Sequence, residues 1–218
     1  MTTFDFGSGP VPAHKHAKGG GWVADTAYVA DSAYVGRDAR VSGHARVYGS
    51  AHVYGDARVT GSAQVYGEAR VYSNAYVGGS AHVTGNAYVT GNAQVSDNAQ
   101  VYGNAHVSGD ARVTGDAHVF DGARVSGDAR VSGDARVSGI AWVSDNARVT
   151  SKCSISPLYI AGHEYPITVC DDLIRVGCQS GTLADWATKH TEPCPRMHAA
   201  RALLLRLAEL HMADCEST

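Results

Sequence analysis

Valine returns every six residues without a slip, from Val23, Val29, Val35 and Val41 to Val149, and Ile155 closes the series. Alanine stands two residues before nearly every one of these valines, from Ala27 to Ala147, and Cys153 takes that place before Ile155. The unit reads A-x-V-x-G-x. Residues two apart share a side of an extended chain. Ala and Val therefore line one side of a short strand, and the residues flanking Val line the other. The position two after Val is usually Gly, and otherwise mostly Asp or Ser. Gly accepts positive φ, so the chain turns there. Each unit is one short strand and one corner. A corner every six residues excludes long flat strands, and the absence of a 3.6-residue period excludes helix. The chain must coil, with parallel ladder bonds between turns satisfying its backbone.

Composition agrees. Val and Ala dominate the apolar class, and the 218 residues include only 3 Phe. Neither Val nor Ala fills much volume, so the interior must consist of many thin layers, as in repeat architectures. The pattern closely resembles the hexapeptide-repeat family, which folds as left-handed parallel β-helices with three hexapeptides per triangular turn. The resemblance covers residues 22–155 and implies an all-β, left-handed parallel β-helix of about seven turns. At ~4.8 Å per turn the prism would be roughly 35 Å long. Residues 1–21 are then a leader and N-terminal cap, and residues 156–218 a separate module.

Stacked turns place outward residues in columns. The first face carries Tyr28, Arg46, Gln64, His82, Gln100, His118 and Arg136, beside Ala30, Tyr48, Tyr66, Thr84, Tyr102, Phe120 and Ser138. The second carries Tyr34, His52, Arg70, Tyr88, His106, Arg124 and Trp142, beside Gly36, Tyr54, Tyr72, Thr90 and three serines. The third carries Arg40, Arg58, Tyr76, Gln94, Arg112, Arg130 and Arg148, beside small residues. The pairs Tyr48/Tyr66 and Tyr102/Phe120 stabilise a ladder by stacking, by ~0.5–1.5 kcal/mol per pair. A continuous aromatic strip also points to a subunit interface. The arginines of the third face suggest a nucleic-acid site, but most follow an acid, as Asp38 precedes Arg40 and Asp110 precedes Arg112. Residues 22–155 hold 11 Lys and Arg against 12 Asp and Glu. Phosphate binding needs uncompensated positive charge, so a self-neutralised surface is expected, with no nucleic-acid partner.

The resemblance implies two enzymatic possibilities, acyltransferases using acyl-coenzyme A and zinc enzymes, both usually trimers with sites between subunits. The acyltransferases place a catalytic His on or near a loop that interrupts the coil, and no insertion breaks the repeat from Val23 to Ile155. Among His44, His52, His82, His106 and His118, none stands one turn from another in its column. His82 and His118 are two turns apart, ~9.6 Å, too far to share a metal within one chain. No catalytic residue is assigned. An acyltransferase at an intersubunit groove is the alternative, with coenzyme A its cofactor; no cofactor is expected otherwise.

The leader contains His14 and His16, which alternate along an extended strand and offer half a metal site or, in a trimer, a ring of histidines. The competing expectation is a cap, because an open solenoid end exposes ladder groups. A leader of this kind looks like that of hexapeptide-repeat proteins of phages and prophages. Beyond Ser156-Pro157 the chemistry changes. Tyr159-Ile-Ala, Pro166-Ile-Thr-Val and Leu173-Ile-Arg-Val suggest short strands, with Asp171-Asp172 a turn. Thr182 with Asp185 resembles a capping box opening a helix to about His190. A second helix is expected over residues 196–212, its stripe carrying Leu203, Leu207 and Leu210. The expectation is a small α+β docking module, and its leucines join Tyr48, Tyr66, Tyr102 and Phe120 as interface candidates. Cys170, Cys178 and Cys194, with His163, His190 or His198, lack the CxxC spacing of a zinc site. Odd in number and without an apolar leader, the cysteines fit reduced thiols in a cytoplasm, and no apolar run is long enough for a bilayer. The chain is expected to be a non-catalytic scaffold or binding protein, a homotrimer, with a possible protein partner at the C-terminal module.

Overall fold

Two opposed demands, burial of Ala and Val on one side and a turn every six residues, produce strands only two residues long. Each ends on a repeat valine, as in Arg46–Val47, His52–Val53 and Arg58–Val59. The computed structural model describes residues 2–144 and 147–150, with the backbone of four further strands at Leu158–Ile160, Ile167–Cys170, Leu173–Val176 and Gln179–Thr182. Within the repeat every pairing is parallel and shifted by one turn, so that Gln64 lies opposite His82 and Val65 opposite Val83. Three sheets result. The first face has seven strands, from Tyr28–Val29 to Arg136–Val137, and the second seven, from Tyr34–Val35 to Trp142–Val143. The third has ten, because the leader strands Thr3–Asp5 and Pro10–Lys15 join it ahead of Trp22–Ala24. The fold is a parallel β-solenoid of about seven turns, and no helix occurs among the described residues.

Inside, the expected layers are present. From Ala33 to Val137 every repeat alanine and valine is fully buried. Corners stack as closely as strands, which explains the glycines. Gly79 has φ 62°, and a Cβ there would stand 2.6 Å from the backbone nitrogen of Asp97 on the next turn. Ser73, Asp97 and Asp121 occupy the same corner position with φ of 62°, 61° and 58°. The two aspartates gain something glycine cannot: Asp97 Oδ2 accepts from the Gly115 N–H at 3.0 Å, and Asp121 Oδ2 from the Gly139 N–H at 3.3 Å. One residue further on, amides form their own ladder, with Asn74 Nδ2 donating to Asn92 Oδ1 and Asn92 Nδ2 to Asp110 Oδ1.

The leader folds back over the first turn. Pro10–Lys15 pairs antiparallel with both Thr3–Asp5 and Trp22–Ala24. Phe6, Ala13 and Ala24 are buried together, with Phe4 and Trp22 packed against them. Phe4 stacks on Trp22 at 4.5 Å, and Arg58 Nη2 donates to the Phe6 carbonyl at 3.0 Å. The carbonyls of Pro12 and Lys18 accept from the N–H groups of Asp25 and Val35. These bonds occupy donors that would otherwise open onto water at the end of the coil.

The four C-terminal strands form an antiparallel meander in chain order. Three lie where the sequence suggests strands. Gln179–Thr182 is additional; it contains Gly181 and lacks the apolar alternation by which strands are read. Ile155, the Asp171-Asp172 turn, both expected helices and Leu203, Leu207 and Leu210 lie outside the described residues.

Candidate functional site

The prism has three long edges, and most of its aromatic residues collect at one of them. The edge between the first and second faces is flanked on one side by the column of Tyr48, Tyr66, Tyr102 and Phe120. The other flank is the column of Tyr34, His52, Tyr88, His106 and Trp142. Of the large apolar side chains that are exposed, Tyr34, Ile140 and Trp142 stand on or beside this edge, and Ile140 is 96 % exposed. The corner itself carries three acids, Asp31, Glu68 and Asp121, and no base. Its outermost residues run Ser32, Ser50, Glu68, Asn86 and Asn104, whereas the corner between the second and third faces carries Asp38, Asp56, Asp110 and Asp128.

Rung spacing governs how the rings meet. Tyr48 stacks on Tyr66 at 4.8 Å and 3°, Tyr102 on Phe120 at 5.0 Å and 5°. The second face repeats the device, with Tyr54 on Tyr72 at 4.9 Å, Tyr88 on His106 at 4.7 Å and Tyr34 on His52 at 5.6 Å. The Arg70 guanidinium lies 5.4 Å from the Tyr88 ring centre. Within each pair the rings cover one another and turn their edges outward. That leaves few open π-faces for bases to stack on, unlike the platforms of single-strand binders.

Titration follows from partial burial. Burial, then the neighbouring Tyr66, holds the Tyr48 hydroxyl above its usual range against the pull of Arg46. His106 is held below the ordinary histidine value by burial and then by Arg124. His118 is lowered by burial and then Arg136, with Asp116 opposing. Both imidazoles therefore favour the neutral form near neutrality. His82 and His118 meet Tyr66 and Tyr102 edge-on at 6.4 Å and 6.1 Å. The solenoid histidines other than His44 thus each contact a tyrosine.

The leader histidines have different surroundings. His14 is exposed in its strand, with Nδ1 2.8 Å from Asp25 Oδ1. His16 lies just past the strand and is buried, its Nδ1 3.2 Å from the Lys18 carbonyl and its Nε2 without a hydrogen-bond partner. Among the described residues no three His, Cys, Asp or Glu side chains stand close enough together to hold a metal. On the third face, Arg112 and Arg130 form no ion pair with Asp110 or Asp128 among the described residues. Asp110 is engaged instead by the Asn92 amide. Charge balance there comes from the acids of neighbouring columns.

Sequence reasoning singled out the first-face rings and passed over the second-face flank. The missed signal is a longer period: ahead of the second-face valines the residues run Tyr34, His52, Arg70 and then Tyr88, His106, Arg124, the same triplet three turns on.

A family model described as the YdcK β-solenoid repeat matches residues 39–55, 51–67, 93–109, 99–115 and 123–139. The chain is a β-solenoid repeat protein, similar to that family over these stretches. No curated protein and no solved structure matches it.

Proposed function

We propose that this chain is a non-catalytic scaffold that acts by protein–protein association, first with copies of itself as a homotrimer. The observation that carries this reading is the concentration of exposed and half-exposed aromatic residues on one prism edge, against only Tyr54, Tyr72 and Tyr76 beside the next. Apolar surface on that scale marks an association site. The coil is read as left-handed, with three hexapeptides per turn, and the origin as phage or prophage, as the family resemblance implies. Placement in the cytoplasm rests on the cysteines, five in number. The C-terminal segment supplies a second contact through Leu203, Leu207 and Leu210, and is the place for a protein partner. The near balance of charge and the edge-on rings speak against nucleic acid.

Sedimentation tests it. The wild-type chain is expected to run as a trimer at micromolar concentration. Tyr66→Ser with Tyr102→Ser is expected to lower the particle mass, and Arg112→Ser with Arg130→Ser to leave it unchanged. A wild-type chain that stays monomeric at high concentration overturns the proposal.

A further inference from the structure

We infer that parallel copies of this chain pack around the edge between the first and second faces, the first-face flank of one copy lying against the second-face flank of the next. The inference rests on the self-association proposed above and assigns its surface and orientation. It comes from comparing the two flanks turn by turn.

At each turn the two flanking residues are complementary in size or in character. Where the first flank is small, the second carries a large ring: Ala30 with Tyr34, Thr84 with Tyr88, Ser138 with Trp142. At two of the remaining turns a first-flank ring goes with a histidine, Tyr48 with His52 and Tyr102 with His106. At the last two it goes with an arginine, Tyr66 with Arg70 and Phe120 with Arg124. The sequence small-with-ring, ring-with-His, ring-with-Arg runs twice and begins a third time. Within one chain the paired residues lie on different faces of the prism, and the rings stack along their own columns. The match is therefore of use to a neighbour.

Rotation about an axis parallel to the prism keeps every residue at its height. Each turn of one copy then meets the same turn of the next, offset only by the rise along one side, about a third of the ~4.8 Å spacing. Rings of Tyr34, Tyr88 and Trp142 enter the gaps over Ala30, Thr84 and Ser138, and the apolar stems of Arg70 and Arg124 lie along the outward edges of Tyr66 and Phe120. A slip of one turn breaks the match and sets Tyr66 against Tyr88. A twofold arrangement of like flanks does worse, bringing Arg70 against His106 and Arg124 against His52. The contact is thus heterologous, and a parallel axis closes it into a ring.

Three matched positions test the edge. Asn86, Asn92 and Asn98 are exposed corner residues, one on each prism edge, and each donates its amide to the residue one turn on, Asn104, Asp110 and Asp116 respectively. The photoreactive amino acid p-benzoylphenylalanine is placed singly at each in the full chain. Irradiation is expected to give covalent dimers from position 86 and none from 92 or 98. A silent position 86 in a particle that still sediments as an assembly overturns the edge assignment while leaving self-association standing. A monomeric wild-type chain overturns both. Thr84→Tyr supplies a second measurement. It joins the Tyr66 and Tyr102 stacks into one column, yet fills the gap that a neighbour's Tyr88 occupies. The fold is expected to persist by circular dichroism while association weakens at least about tenfold. Association that is unchanged or tighter overturns the inference.

Discussion

The corner residue is where a single side chain has most influence on this coil. Residues other than Gly cost ~1–2 kcal/mol in the left-handed region, unless their side chains form a local bond. Asp97 and Asp121 have such a bond to the next corner's N–H; Ser73 has only a 3.3 Å contact with the Thr90 hydroxyl at the surface. Ser73→Gly is therefore expected to stabilise the chain by about 1 kcal/mol, read as a higher denaturant midpoint; a lower midpoint counts against this account of the corners. The inward positions behave oppositely. Val83 is fully buried among Val and Ala, so Val83→Asp places an unpaired charge in an apolar layer and is expected to cost more than about 4 kcal/mol. Thr114→Asp, outward on the third face and half-buried, is expected to stay within about 1 kcal/mol. Equal melts for the two variants would refute the inward–outward assignment. These positions were legible in the sequence because the period repeats the same environment many times. The bond from Asp97 to the Gly115 N–H was not, since residues one turn apart become neighbours only once the coil has formed.

Strands of two residues have little stability of their own; what they supply is vertical alignment. Alignment brings isolated tyrosines and histidines into contact, and partial burial, then a neighbouring arginine, lowers the pKa of two of the histidines. His106 and His118 have folded pKa values below the ordinary 6.5. Between the lowered value and 6.5 the unfolded chain binds more protons, so stability rises with pH across that interval. Their contribution is fully present above 6.5 and is lost as pH falls through the folded pKa. Thermal melting is expected to drop from pH 7.5 to pH 5, and the double substitution His106→Gln and His118→Gln to flatten that drop. A double variant with an unchanged pH profile would show that other groups govern it. The columns themselves could be written down from the sequence. Their pairing into stacks could not, because whether a ring lies flat on its neighbour or meets it edge-on depends on side-chain torsions that a period does not encode. Tyr66 shows both, flat on Tyr48 and edge-on to His82.

At the scale of the whole molecule, a uniform repeat means that no layer is the core on which the others depend. The leader closes one end with the cluster of Phe4, Phe6 and Trp22, and every later turn rests on the one before. The bonds between turns run along the prism axis, with the Tyr28 N–H donating to Ala45, the Arg46 N–H to Ala63 and the Gln64 N–H to Ala81. That direction has a mechanical consequence. Tension applied along the axis loads the bonds of one turn at a time, as a zipper does, and does not shear several turns together. A turn of 18 residues holds about 60 Å of extended chain at ~3.4 Å per residue, against a rise of ~4.8 Å. Pulling between residues 22 and 149 in an optical trap is expected to lengthen the molecule in steps of about 55 Å at low, nearly constant force. A single cooperative rupture would show that the turns share their load.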